Sequence, residues 1–72
     1  MKKEEYIGYP NMTLVEAMQK IDVTGSGILF IEGENQRLIG SLTDGDIRRW
    51  LIKTGRLDIE ISKIMNRNPF FY

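Results

Sequence analysis

The sequence predicts an α+β fold of two layers, in the order strand, helix, strand, strand, helix. Two segments each join a capping box to apolar residues spaced by three and four, the pattern of an amphipathic helix. Between them an unbroken apolar run, Gly27-Ile28-Leu29-Phe30-Ile31, is too short for a helix and suits a strand buried on both faces. A chain of 72 residues has room for one small core, so residues 1–72 read as a single domain and not as a two-lobed enzyme.

Taken in order, Tyr6-Ile7 pairs as a short strand before Pro10 interrupts it. Thr13 followed by Glu16 is the first capping box: the threonine oxygen accepts a free amide at the helix start and the glutamate reaches back. Leu14, Ala17, Met18 and Ile21 form one apolar stripe, and Gly25 stops the helix, which runs from about Leu14 to Val23. After the apolar strand, Glu32-Gly33-Glu34-Asn35-Gln36 is a polar turn, and Arg37 to Leu42 returns antiparallel as a hairpin. Gly40 inside that strand has two explanations: a bulge or close packing, or the approach of a ligand to the backbone.

Thr43-Asp44-Gly45-Asp46 opens the second helix with Thr43 as its cap. Ile47, Trp50, Leu51 and Thr54 make its apolar face, Arg48, Arg49 and Lys53 lie elsewhere, and Gly55 ends it. Ile61, Ile64 and Met65 add one helical turn that Asn66 and the Asn68-Pro69 step close. Residues 66–72 are a tail whose aromatic end, Phe70-Phe71-Tyr72, is expected to pack on another chain or to lead into further sequence.

Composition narrows the function classes. Ten acidic and ten basic residues leave a net charge of zero, so no chain-wide field draws in nucleic acid or an anionic membrane. Without cysteine or histidine there are no disulfides, no thiolate nucleophile and none of the usual zinc or general-base chemistry. No phosphate loop and no activated nucleophile are visible, so a non-catalytic role with no required cofactor or metal is expected. The longest apolar run, Ile28 to Ile31, is far short of a membrane span, and the start resembles no secretion signal, which points to the cytoplasm. The local basic cluster Arg48, Arg49, Lys53 and Arg56 reads first as a solvated helix face, with Arg48 placed to pair with Asp44 and Arg49 with Asp46; the other readings are neutralisation of a bound nucleotide's phosphate and contact with nucleic acid.

The chemistry concentrates in Gly40-Ser41-Leu42-Thr43-Asp44-Gly45-Asp46. A hydroxyl and two carboxylates stand where a strand end meets a helix start, with unpaired amides nearby, a setting that suits a phosphate or a ribose. Thr43 can donate to a phosphate oxygen and Asp46 can accept from ribose hydroxyls. The same spacing is equally that of an ordinary capping box, and on spacing alone both roles stand.

The stretch Arg37-Leu38-Ile39-Gly40-Ser41-Leu42-Thr43-Asp44-Gly45-Asp46-Ile47-Arg48-Arg49, with Ile64-Met65-Asn66 and Asn68-Pro69, resembles a CBS domain, the module named after cystathionine β-synthase. Pro10-Asn11-Met12-Thr13-Leu14-Val15-Glu16-Ala17-Met18 is similar to that family's entry into its first helix, so the resemblance covers residues 10 to 69. The Thr43 to Arg49 wording looks most like CBS domains attached to bacterial sugar-phosphate nucleotidyltransferases and isomerases.

The resemblance implies a β-α-β-β-α fold with a small mixed sheet packed on two helices. It implies a partner too: a second CBS domain, as a homodimer or tandem repeat, completing a Bateman module that regulates an attached sugar-phosphate enzyme. The cleft between paired domains would bind a regulatory ligand, AMP, ADP, ATP or S-adenosylmethionine. A Ser or Thr and an Asp three residues later hold phosphate and ribose in the family, roles that map onto Thr43 and Asp46; groups facing the adenine map onto Gly27 and Ile28. The alternative is a dimerisation module with no ligand.

Three positions depart from the family pattern. Gly8 replaces a branched residue, which would leave that wall of the pocket open or shifted. Gln36 replaces the hairpin glycine, and Ser41, usually aliphatic, would face ligand, partner or solvent.

Overall fold

The computed structural model describes residues 3–67; the terminal aromatics and the Asn68-Pro69 step lie outside these residues. Local chemistry sets the ends of both helices. The Thr13 hydroxyl accepts from the Glu16 amide at 3.2 Å while the Glu16 carboxylate accepts from the Thr13 amide at 2.9 Å, and α1 follows as Leu14–Thr24. Its end is Gly25, left-handed at φ 68°, whose amide donates to the Ile21 carbonyl at 2.8 Å. Thr43 and Asp46 repeat the arrangement for α2, Asp44–Thr54, which stops at Gly55.

Three strands, β1 (Ile7–Gly8), β2 (Ile28–Glu32) and β3 (Leu38–Thr43), form one mixed sheet in that order. The pairing of β1 with β2 is parallel, which requires a crossover, and α1 supplies it. The pairing of β2 with β3 is antiparallel, through the hairpin at Glu34–Gln36. The order of strands and α-helices is the expected one and the fold is α+β, but Lys3–Tyr6 forms a short 3-10 turn that takes Tyr6 out of the first strand, which pairs through Ile7 and Gly8 instead. A short helical turn at Ile61–Lys63 follows α2.

Leu14, Ala17 and Ile21 of α1 meet Leu29 and Ile31 of β2, Leu42 of β3 and Ile47 of α2, with Ile61 and Met65 closing the core. Two expectations about this core are corrected. The β2 strand is not buried on both faces: Leu29 and Ile31 are fully covered, whereas Phe30 between them is 37% exposed. The helices lie against one face of the sheet, and among the described residues the other face leaves Phe30 partly uncovered. Met18 likewise leaves the buried stripe and stands exposed, because Ala17 and Ile21 occupy the centre of the contact.

The Gly40 alternatives are separated by packing. A Cβ there would sit 2.8 Å from the Asn66 carbonyl oxygen and 3.0 Å from Met65 Sδ, so the C-terminal turn itself occupies the space. Ser41 and Asn66 exchange two backbone hydrogen bonds, at 3.0 and 2.8 Å, extending the sheet past β3. Ser41 is buried, which removes solvent from the surroundings expected for it.

Candidate functional site

The site forms where β3 turns into α2. Thr43 is both the last residue of β3 and the cap of α2, so its position is set from two directions. The antiparallel register places Ile28 directly opposite Thr43, and the Asp44 amide donates to the Gly27 carbonyl at 3.0 Å. Gly27 enters β2 at φ 77°, a conformation that favours glycine, and a Cβ there would meet Asp44 Oδ2 at 3.3 Å. Gly27, Ile28, Thr43 and Asp46, the four residues singled out from sequence, thus share one corner of the molecule.

At that corner the Thr43 hydroxyl accepts from the Asp46 amide at 3.2 Å and donates to Asp46 Oδ2 at 3.0 Å. The Thr43 amide donates to the same oxygen at 3.0 Å. The other oxygen, Oδ1, accepts from Arg49 Nη2 at 2.7 Å, an ion pair between a carboxylate with 19% of its side chain exposed and a guanidinium with 74% exposed. Capping is therefore real here, and both oxygens of Asp46 are engaged. Chemically the corner offers a hydroxyl, a carboxylate and a guanidinium, the donors and acceptors that hold a polyol and an anion.

Arg49 was placed correctly by its spacing from Asp46; Arg48 remains exposed and forms no ion pair with Asp44 among the described residues. Arg56 pairs at 3.3 Å with Asp58, and its hydrogen bond and charge hold the Asp58 carboxyl below the usual carboxylate range. Trp50 packs against the core and donates its indole N–H to the Arg56 carbonyl at 2.7 Å.

Sequence reasoning missed a groove of about 580 Å³ walled by apolar Val15, Met18, Ile21, Ile47 and Leu57. It touches Gly27 and Asp44 but not Ile28, Thr43 or Asp46, so it borders the corner without being centred on it. The available signal was Val15 and Leu57, apolar residues outside both predicted stripes, which the structure leaves 41% and 46% exposed. Among the described residues no helix is long and apolar enough to cross a membrane.

No protein-family model matches the sequence. Among curated proteins the chain is 36% identical over 56 residues to the arabinose 5-phosphate isomerase GutQ of Salmonella typhi, covering 78% of this chain and 17% of the isomerase. A solved CBS domain, NE2398, is 27% identical with a TM-score of 0.77, over 86% of this chain and 49% of its own. This chain is a CBS domain. The same fold recurs in a CBS-domain protein of Pyrobaculum aerophilum complexed with AMP, 19% identical, with a TM-score of 0.80 over 93% of this chain and 53% of that one. This CBS domain thus spans about a sixth of its isomerase relative and about half of either solved structure.

Proposed function

We propose that this CBS domain is a non-catalytic regulatory module that binds an adenine nucleotide in the cleft it forms with a second CBS domain. The observation that carries this is the meeting of Thr43, Asp46, Gly27 and Ile28 at one corner, hydroxyl and carboxylate beside an apolar strand start. The AMP-bound relative in fold supports the choice of ligand class. In this assignment Thr43 faces the phosphate, Asp46 the ribose, and Gly27 and Ile28 the adenine.

Residues 1–72 then act as one repeat, with residues 66–72 leading toward the next, and the half-length match to the solved structures fits a unit that works in pairs. The likeness to GutQ supports attachment to a sugar-phosphate isomerase, in the cytoplasm where phosphorylated sugars are handled.

Calorimetric titration with AMP, ADP, ATP and S-adenosylmethionine tests the proposal. At least one should bind, and Asp46→Ala should weaken it by about tenfold or more, the worth of hydrogen bonds to a charged group. Binding that survives Asp46→Ala, or none in a chain that still pairs, would sink the proposal. The second outcome favours an association module, a role supported by the full engagement of the Asp46 carboxylate in capping and ion pairing.

A further inference from the structure

Two carboxylates, Asp44 and Asp46, stand in the first turn of α2, beside the place the proposed ligand would put its phosphate. An anion brought there is repelled by both unless a cation lies between. Within ion-pair distance of Asp46 among the described residues there is one cation, Arg49, whose Nη2 is 2.7 Å from Oδ1. Its guanidinium bends back along the helix: Nη1 lies 3.6 Å from the position a Cβ would occupy at Gly45. A Cβ at residue 45 would make ordinary van der Waals contact with the guanidinium. The arginine is 74% exposed, so moving it from the carboxylate toward an incoming anion gives up only a solvent-screened pair.

Thr43 is poised for the same exchange. Its hydroxyl hydrogen now goes to Asp46 Oδ2, which already holds the Thr43 amide. A carboxylate oxygen accepts about two hydrogen bonds, so Oδ2 is full. Oδ1, which holds Arg49 alone, has one place open already; if the Thr43 hydroxyl turns to a phosphate Oδ2 regains one, and if Arg49 turns as well Oδ1 is cleared entirely, so each oxygen can take one hydroxyl of a ribose diol. The donors a phosphate would recruit are the ones whose departure opens the carboxylate to the sugar.

From this we infer that Arg49 is the specificity-determining residue of the site, selecting a phosphorylated nucleoside over the bare nucleoside. The inference rests on the nucleotide-binding role proposed above. It is tested by titrating AMP and adenosine into the wild-type chain, Arg49→Gln and Arg49→Lys. Arg49→Gln should weaken AMP by about tenfold, the loss of one charge-assisted contact, and leave adenosine unchanged or tighter. Arg49→Lys should fall between, since it keeps the charge without the planar fork. Added salt should narrow the preference for AMP in the wild type but not in Arg49→Gln. An AMP-to-adenosine ratio equal in wild type and Arg49→Gln overturns the role of Arg49 alone. Wild-type chain that binds neither ligand overturns the nucleotide-binding role and this inference together. Circular dichroism of the variants, altered only at an exposed side chain, verifies that the fold is retained.

Discussion

At Thr43 one hydroxyl serves as acceptor for the Asp46 amide and donor to the Asp46 carboxylate. Thr43→Ala should cost about 1 kcal/mol in urea denaturation, the usual worth of a cap, while Thr43→Ser keeps most of it. Gly40 obeys a different constraint. The atom its missing side chain would strike is a backbone oxygen of Asn66, which cannot retreat without loosening its pairing with Ser41. Gly40→Ala should therefore lower stability by about 1–3 kcal/mol, the range for overpacking, read from the same denaturation curves. Gly8, expected to leave a pocket wall open or shifted, faces the core instead: a Cβ there would lie 2.5 Å from Leu29 Cδ2. At Asp58 the lowered pKa has a definite sign. Because the folded value is depressed, the favourable pairing with Arg56 is present above the ordinary carboxylate pKa and fades as pH falls through the lowered one. An NMR pH titration should show the Asp58 carboxyl rising toward the ordinary range in Arg56→Gln, with the backbone hydrogen bond at Asp58 still holding it down in part.

Elements differ in how much of their geometry is local. Both helices carry start and stop signals within their own residues, so their limits were legible to within a residue or two. The hairpin was legible in place but not in conformation. Asn35 and Gln36 both take positive φ, 60° and 59°, and the Arg37 amide closes onto the Glu34 carbonyl at 3.2 Å, a type I′ pattern that favours Asn-Gly. Gln36 bears a left-handed conformation that glycine adopts without steric cost. Gln36→Gly should raise stability by about 0.5 kcal/mol, the relief of that conformation exceeding the extra entropy of the unfolded glycine. A thermal melt measures it, and a lower midpoint would mean that Gln36 makes contacts worth more than the strain.

At the scale of the whole molecule, one sheet face is covered by helices and the other leaves Phe30 more than one-third exposed. A domain of this size has little stability in reserve, so covering that face with a second CBS domain would add to folding directly. The proposed pairing predicts a melting temperature that rises with protein concentration and a dimer in sedimentation. Phe30→Ser should shift both toward the monomer while sparing the core residues Leu29 and Ile31 on the opposite face. A concentration-independent melt would count against pairing through the sheet.

The sequence by itself determined the order of elements, the helix limits, the hairpin and the two capping boxes, because these depend on spacing and on side chains reaching their own backbone. It also singled out Thr43, Asp46, Gly27 and Ile28, the latter two through family resemblance. Only the tertiary structure decided that β2 buries one face, that Gly40 yields its space to Asn66, and that Met18 borders a groove. The physical reason is common to all three: burial and close approach are properties of what lies across the fold, and no local pattern encodes the distance to a residue brought near only by folding.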